Sequence, residues 1–113
     1  MEQKQLKRSI CSFLLNIKMK NTAIGLCYWI TAINYYISLK EEDAYQVIRM
    51  NNVYEIVAQE HHTTKQNAEK AMRYAKEKSD YQNRLKVEHE LKNFEFLILC
   101  SSSFLENVSQ EAV

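Results

Sequence analysis

Apolar side chains recur at helical spacing through most of the chain. Near the N-terminus they are three or four residues apart, which in an α-helix places them on one face. This pattern predicts an amphipathic helix over residues 6–17. After it, Asn21 or Thr22 can cap the next helix by accepting a hydrogen bond from a free backbone amide. The apolar positions are Leu6, Ile10, Phe13, Leu14 and Ile17.

Residues 23–39 are apolar nearly all round, which predicts the central helix of the core. A membrane span over residues 21–39 is the competing interpretation, because this stretch has no charge and approaches the roughly 20 residues that cross a bilayer. Polar groups at Thr31, Asn34 and Ser38 argue against a span, as do aromatic residues that are not confined to two interfacial belts. We therefore expect no membrane as a partner.

Side-chain caps predict where the next two helices begin. Ser38 and Glu41 have capping-box spacing, so a third helix is expected over about residues 40–50. The asparagines at 51–52 interrupt the pattern and can cap a short helix over 53–60. That helix would bury Val53, Ile56 and Val57.

Residues 53–78 have the outline of a helix-turn-helix, in which a polar turn joins a short apolar-patterned segment to a longer basic amphipathic segment. The turn covers His61 to Thr63 or Thr64, and either threonine can cap the second helix. Thr63 also has Gln66 at capping-box spacing.

The second helix of this motif has two distinct faces. One is a stripe that a helix would bury, formed by Ala68, Ala71, Met72 and Ala75. Opposite it lie Gln66, Lys70, Arg73 and Glu77, with Asn67, Glu69, Tyr74 and Lys76 on the flanks. These side chains form a hydrogen-bonding face with the reach to read base edges.

The final part of the chain predicts a loop, a weak element and a terminal helix. We expect a loop over 79–83, then a weak helix or an irregular connection to about residue 92, anchored by Leu85 and Leu91. The last segment, 93–108, predicts a C-terminal helix, although 94–100 alone could be a buried strand. Its apolar surface exceeds what packing on the core needs, which favours a homodimer through this helix.

The composition restricts the fold class. The chain has 113 residues, with one glycine and no proline, so few positions can supply the positive φ or rigid turns of tight hairpins. This length suits a single domain, residues 1–113, and leaves no room for a second, catalytic domain. We therefore predict an all-α, compact domain of about five to seven helices that contains a helix-turn-helix.

The charge distribution is uneven although the net charge is only +1. Residues 1–20 carry five Lys or Arg and one acid, and residues 65–92 carry eight Lys or Arg and five acids. Residues 93–113 have three acids and no base. The small net charge argues against a chain that coats nucleic acid indiscriminately, whereas positive charge is concentrated at the N-terminus and along the second motif helix.

Cys11, Cys27 and Cys100 are widely separated and lie in apolar surroundings. An odd number of dispersed cysteines is typical of buried thiols in a reducing compartment, rather than of disulfides or a metal site. The first apolar stretch also lacks the small-residue cleavage pattern of a signal peptide. The sequence therefore predicts a cytoplasmic protein.

Patterns for catalysis or metal binding are weak. His61 and His62 follow Glu60, but adjacent histidines point to different sides of a helix or turn and no partner at i+4 completes a ligand set. His89, between two glutamates, fits a solvated helix face. No Ser, Cys or Lys nucleophile has a base and an orienting partner at a known spacing, and no glycine loop could hold a phosphate. We expect no enzymatic activity, metal or cofactor.

Residues 10–78 resemble the C-terminal DNA-binding domain of the stage-zero sporulation master response regulators of endospore-forming bacteria. The most specific stretch is VYEIVAQEHHTTKQNAEKAMRYA at 53–75, which is similar to the family's first motif helix, its Thr-Thr turn and a recognition helix patterned E-R-A-I-R-H-A. Upstream, ICSFLLNI at 10–17 and GLCYWITAI at 25–33 are similar to the family's opening helix and its G-Y-x-Y-L-R-x-A-I signature. The terminal helix from FEFL onward is also similar, and the resemblance implies that it contacts a second subunit.

This resemblance implies an all-helical domain that places its second motif helix in the major groove of double-stranded promoter DNA. Carried over residue by residue, it implies base or phosphate contacts by Glu69, Lys70 and Arg73, with Gln66 and Asn67 at the start of that helix. Arg can pair with guanine O6 and N7, Glu can accept from cytosine N4, and Lys can serve guanine or phosphate. The candidate DNA-binding residues are Thr63, Thr64, Lys65, Gln66, Asn67, Glu69, Lys70, Arg73 and Tyr74.

Several positions depart from the family pattern. Asn67 and Lys70 stand where the family has arginine, so recognition of the same base sequence is not implied. His62 stands where the family has asparagine, at a turn position that often requires left-handed backbone. The chain also begins at the effector domain, so control by phosphorylation of an attached receiver is not expected. The alternative function is a non-enzymatic adaptor that has lost DNA binding and pairs with a partner through its C-terminal helix.

Overall fold

Six α-helices make up the part of the protein that the computed structural model describes, residues 2–20 and 24–111, with side chains up to residue 109. No strand occurs within those two ranges. The predicted all-α, compact domain of five to seven helices is therefore confirmed. The helices are α1 (Gln3–Asn16), α2 (Ile24–Glu42), α3 (Met50–Glu60), α4 (Lys65–Lys78), α5 (Tyr81–Arg84) and α6 (Asn93–Glu111).

α1 presents the predicted apolar face to the core and ends in left-handed backbone. Lys18 has a φ of 67°, and the Met19 amide donates to the Leu14 carbonyl oxygen at 3.1 Å. This is the Schellman arrangement, which satisfies a carbonyl that the helix itself cannot. The predicted cap at Asn21 or Thr22 lies outside the described residues. The buried residues of this segment are Leu6, Ile10, Phe13, Leu14 and Ile17.

α2 is the central helix, as its apolar pattern predicts, because it packs against α1, α3, α4 and α6. Trp29 is fully buried, and its indole Nε1 donates to the Met72 carbonyl oxygen of α4 at 2.8 Å. The same ring meets Phe96 of α6 edge-on, with centroids 4.7 Å apart. One large side chain therefore connects three helices, combining apolar burial with a satisfied polar end.

Gly25 sets the closest approach between α2 and α4. A Cβ atom at this position would lie 2.3 Å from the Ala71 carbonyl oxygen and 2.6 Å from Ala75 Cβ. Both distances are shorter than van der Waals contact, so only glycine fits between the two backbones. Ala71 and Ala75 have small side chains, which lets the α4 backbone come close to α2 at this crossing.

α2 continues to Glu42, so the capping box predicted at Ser38 and Glu41 is wrong. Ile37 is fully buried and Leu39 packs against the core, and their burial keeps the chain helical through Ser38. α2 also contains most of the stretch considered as a membrane span. Among residues 2–20 and 24–111, none of the helices combines the length and apolarity that crossing a bilayer requires.

The separate helix predicted over 40–50 is wrong, because residues 43–49 are irregular and residues 40–42 belong to α2. The first turn of the irregular segment is closed by Asp43, whose Oδ1 accepts a hydrogen bond from the Tyr45 amide at 3.0 Å. Such a turn competes with a helix for backbone donors. Ile48 is buried but Tyr45 is 93% exposed, so a helix here would have gained little apolar burial in return.

α3 begins at Met50, three residues before its predicted start. The N-cap is Arg49, which has extended backbone and no side-chain cap, so Asn51 and Asn52 lie in the first helical turn and the caps predicted there are wrong. Met50 packs against the core, which explains the earlier start. Of the three positions predicted to be buried, Val53 and Val57 are buried and Ile56 is half-buried.

Tyr81 anchors the segment after α4, although the sequence did not predict it as a core residue. It begins α5, so the loop predicted over 79–83 is wrong in its second half. The Tyr81 ring packs edge-on against Phe96 at 5.1 Å, and its hydroxyl accepts from the Leu91 amide at 2.8 Å. Residues 85–92 are irregular, which was one of the two expected alternatives, and Leu91 is buried.

α6 confirms the predicted C-terminal helix and continues to Glu111. The alternative of a strand over 94–100 is wrong, because helical geometry turns Phe96, Leu97 and Cys100 into the core. On the outer side of α6 three large apolar side chains each remain more than one third exposed: Phe94, Ile98 and Leu105.

The three cysteines are free thiols that differ in burial. Cys100 is buried as predicted, and burial raises the pKa of its thiol. Cys27 is exposed and Cys11 is half-buried, so the prediction of a buried thiol is wrong for both. The reason is that these two line an open depression between α1, α2 and the end of α3.

Candidate nucleic-acid interface

α3 and α4 are joined by a turn of four residues, 61–64, at the predicted place. His62 adopts left-handed backbone with a φ of 54°, as expected at this position. The Thr63 amide donates to the Ala58 carbonyl oxygen at 3.0 Å, which completes a Schellman arrangement at the end of α3. The direction in which the chain enters α4 is therefore set by backbone hydrogen bonds.

Thr64 is the N-cap of α4, the second of the two candidates predicted from the sequence. Its hydroxyl accepts from the Asn67 amide at 3.1 Å, and its carbonyl oxygen accepts from the Ala68 amide at 2.9 Å. The alternative cap at Thr63, paired with Gln66, is wrong. A capping box at Thr63 would need the Thr63 amide to donate to the Gln66 side chain, but this amide donates to the Ala58 carbonyl oxygen instead.

The inner stripe of α4 packs as predicted. Ala68 and Met72 are fully buried and Ala75 nearly so, while Ala71 is half-buried at the crossing with α2. The Trp29 indole bond to the Met72 carbonyl oxygen fixes the helix from the α2 side. Because α4 rests on rigid packed helices, the orientation of its outer side chains is set by the core.

The outer face of α4 and the turn before it carry all nine candidate DNA-binding residues. Thr63 and Glu69 are partly exposed. The other seven are exposed to solvent: Thr64, Lys65, Gln66, Asn67, Lys70, Arg73 and Tyr74.

Two open depressions meet along this face. One has a volume of about 740 Å³ and runs between the start of α2 and the outer side of α4. The other, of about 370 Å³, lies between the starts of α3 and α4. Lys70 lines both, and eight of the nine candidates, all but Thr64, line one depression or the other. The first depression is lined by Thr63, Asn67, Lys70, Arg73 and Tyr74, and the second by Lys65, Gln66, Glu69 and Lys70.

Charged side chains on this face are partly paired with one another. Arg73 Nε lies 3.3 Å from Glu69 Oε1, one helical turn earlier, with the arginine side chain 51% exposed. The Lys78 ammonium lies 5.6 Å from the centre of the Tyr74 ring, within the range of a cation–π contact. Both pairs join side chains one helical turn apart at the surface and contribute little to stability.

Lys76 does not belong to the outer face, contrary to its predicted place on the flank. It is 5% exposed, and its ammonium donates to the Leu91 carbonyl oxygen. Burial lowers the pKa of this lysine, and the neighbouring Glu77 carboxylate opposes that shift. The misplacement arises because residues 85–92 fold over this side of α4, which periodicity within α4 alone could not reveal.

Residues from other helices also line the two depressions. Ile24 and Tyr28 of α2 border the first, and Asn51 and Tyr54 of α3 border the second. Sequence reasoning missed them as neighbours of α4, because only the packing of α2 and α3 brings them there. Ile24 is an apolar side chain that remains 64% exposed, which the helical pattern of residues 23–39 gave no means to predict.

Within residues 2–20 and 24–111, no group of three or more His, Cys, Asp and Glu side chains is arranged to hold a metal ion. In comparisons with known proteins, no family model, no curated protein and no solved structure matches this sequence.

Proposed function

We propose that this protein is a sequence-specific DNA-binding transcription regulator that inserts α4 into the major groove of promoter DNA. The observation that carries the proposal is the outer face of α4, where long polar side chains project from a helix anchored on its opposite side by Ala68, Met72 and Ala75. In helix-turn-helix proteins it is the second helix of the motif that lies in the major groove. The resemblance to the sporulation regulators supports the same assignment.

The candidate side chains have partners on the DNA. Arg73 pairs with guanine O6 and N7, and Glu69 accepts from cytosine N4. Lys70 donates to guanine or to phosphate, and the Gln66 and Asn67 amides pair with adenine. Thr63, Thr64 and Lys65, at the start of the helix, contact phosphates and set its register on the duplex. Tyr74 contacts the backbone at the far end.

The surface of α6 supports a homodimer on DNA. We propose that this dimer is a cytoplasmic regulator of the sporulation type. Phe94, Ile98 and Leu105 are exposed along its outer side, and a second copy would remove them from water. Two copies related by a two-fold axis would read two half-sites of a palindrome.

Selection of bound duplexes from a random pool, at two salt concentrations, tests this function. We expect Arg73→Ala to lower the affinity for the selected sequence by about 1–3 kcal/mol and to relax base preference at one position. Arg84→Ala is the matched control, because Arg84 is also about half exposed and also faces an acid one turn away, Asp80. Unchanged base selection by the Arg73 variant would contradict the proposal.

The outer side of α6 also favours a second function, a non-enzymatic adaptor that pairs through this helix without binding DNA. This function predicts no binding to any duplex at low salt and a partner that co-purifies. Replacing Phe94 and Ile98 with serine would release that partner, whereas the same change at the exposed Tyr45 would not.

A further inference from the structure

A second surface lies away from the outer face of α4. It is an open depression of about 390 Å³ between α1, α2 and the end of α3, and no residue of α4 lines it. Cys11 of α1 and Cys27 and Ile30 of α2 form its apolar part. Lys4, Lys7 and Arg8 of α1 border it on one side. We name this surface, defined by these six residues, the α1–α2 groove.

The single acid beside the α1–α2 groove is already engaged. The Glu60 carboxylate accepts from the Thr31 hydroxyl and lies 3.3 Å from the Lys7 ammonium. His61 Nε2 is 2.8 Å from the same hydroxyl oxygen. Because the one hydroxyl proton of Thr31 goes to Glu60, the His61 nitrogen must be the donor in that contact. Glu60 is thereby bonded to Thr31, and its charge is balanced by Lys7.

Two of the three cations that border the groove have no acidic partner among the described residues. Lys4 and Arg8 are exposed and make no hydrogen bond or ion pair with other described residues. They are one helical turn apart, and Cys11 follows at the next turn, so all three lie on one side of α1. The α1–α2 groove therefore combines an apolar floor with an uncompensated positive edge.

This combination fits a helix better than a nucleic acid. The Lys4 and Arg8 side chains on the edge can bind phosphate as well as carboxylate. The floor beside them, two thiols and an isoleucine, offers no strong donor to a nucleic-acid backbone but can bury apolar side chains. An amphipathic helix can place its apolar row in such a groove, with carboxylates at the positions that flank the row. We propose that the α1–α2 groove binds an acidic amphipathic helix of a partner protein, with its apolar row on Cys11, Cys27 and Ile30 and its carboxylates on Lys4 and Arg8.

The position of the groove gives such a partner access to the DNA-binding unit without covering it. His61 borders the groove, and it is also the C-cap that follows α3 and precedes the left-handed His62. The His61 ring rests on Tyr28, with centroids 4.8 Å apart, and Tyr28 lines the depression on the α4 side. A helix bound in the groove would therefore touch the turn while α4 stays free. Docking there is independent of whether α4 binds DNA.

A fluorescent synthetic helix with a leucine stripe flanked by glutamates tests the proposal with the full chain, by anisotropy at low salt. We expect saturable binding that slows alkylation of Cys27, which is the exposed thiol. The double variant Lys4→Glu/Arg8→Glu should weaken binding about five- to tenfold, because each reversal replaces a surface attraction by a repulsion. The matched control, Lys86→Glu/Lys92→Glu, changes the charge equally at exposed positions outside the groove.

Several outcomes would overturn this assignment. One is equally tight binding of the same helix when lysines replace its glutamates. Another is unchanged binding by the Lys4→Glu/Arg8→Glu variant, provided that its helical circular dichroism matches that of the parent. Self-association lost on the same reversal would instead show that a second copy fills the groove. Duplex affinity lowered by that reversal more than by the control would show that the groove binds nucleic acid.

Discussion

At the scale of single residues, the turn between α3 and α4 depends on two side chains with separate tasks. His62 occupies left-handed backbone, which costs a non-glycine residue about 1–2 kcal/mol and persists because the surrounding hydrogen bonds require it. Thr64 satisfies one of the free amides at the start of α4. The turn is therefore stabilised at its second end and strained in its middle.

Replacing Thr64 and Thr63 in turn shows which of these two candidate caps stabilises α4. We expect Thr64→Ala to lower the free energy of unfolding by about 1 kcal/mol, because the Asn67 amide loses its acceptor. Thr63→Ala is the matched control and should change stability by less than half as much, since the contact of Thr63 with α3 is made by its backbone. Urea unfolding followed by circular dichroism measures both. Equal losses would show that Thr63 shares the capping.

At the scale of elements, the pairing of α2 with α4 decides where the candidate interface lies. The two backbones approach at Gly25, where a Cβ would overlap the Ala71 carbonyl oxygen. The Trp29 indole bond to the Met72 carbonyl oxygen lies one turn further along α2, at the residue that follows Ala71 on α4. Together these contacts hold α4 at a fixed distance and rotation, and its polar face is presented outward as a result.

Gly25→Ala tests how close this crossing is. The added methyl meets backbone rather than a flexible side chain, so we expect a loss of about 1–3 kcal/mol in the free energy of unfolding. This loss should appear although alanine is the better helix former by about 1 kcal/mol. Cys27→Ala, on an exposed side of the same helix, should be close to neutral. A Gly25 variant as stable as the parent would mean that the helices are further apart.

Helical period predicted the parts of the fold that are decided within one element. It separated the buried Ala68 and Met72 from the exposed Lys70 and Arg73, because burial there follows the rotation of a single helix. It failed for Lys76, whose burial depends on a segment that is distant in sequence. The predicted caps failed for the same reason at two helix boundaries. Ser38, Asn51 and Asn52 are good capping residues, but packing of Leu39 and Met50 placed all three inside helices.

At the scale of the whole molecule, Glu60 joins three helices at a partly exposed point. Its carboxylate accepts from Thr31 of α2 and pairs with Lys7 of α1, from the end of α3. The Thr31 hydroxyl holds the pKa of Glu60 below its ordinary value, burial opposes this shift, and Lys7 adds to it. The carboxylate is more than one third exposed, so the pair contributes modestly to stability.

Stability should therefore depend on pH through Glu60. A carboxyl group whose pKa is lower in the folded protein stabilises it above the unfolded pKa, and that stabilisation is lost as pH falls through the folded value. We expect Glu60→Gln to destabilise the protein near neutral pH and to flatten the decline below about pH 4.5, the ordinary value for the group. Urea midpoints measured between about pH 6 and about pH 3 test this.

Glu88→Gln is the matched control for that series, because Glu88 is exposed and forms no ion pair with other residues of the described ranges. Its pH profile should follow that of the parent protein. If Glu60→Gln also keeps the parent slope in acid, the hydrogen bond from Thr31 does not shift the titration of Glu60.

The burial of Trp29 gives the protein an intrinsic optical reporter. It is the single tryptophan of the chain, fully buried, hydrogen-bonded to α4 and packed edge-on against Phe96 of α6. Its emission spectrum responds to the polarity around the indole, so it reports directly on the contact among three helices. A ligand that displaces α4 from α2 would shift that emission, whereas one that binds rigidly to the outer face would leave it unchanged. The same cuvette measurement can therefore tell recognition by a preformed surface from recognition that remodels the core.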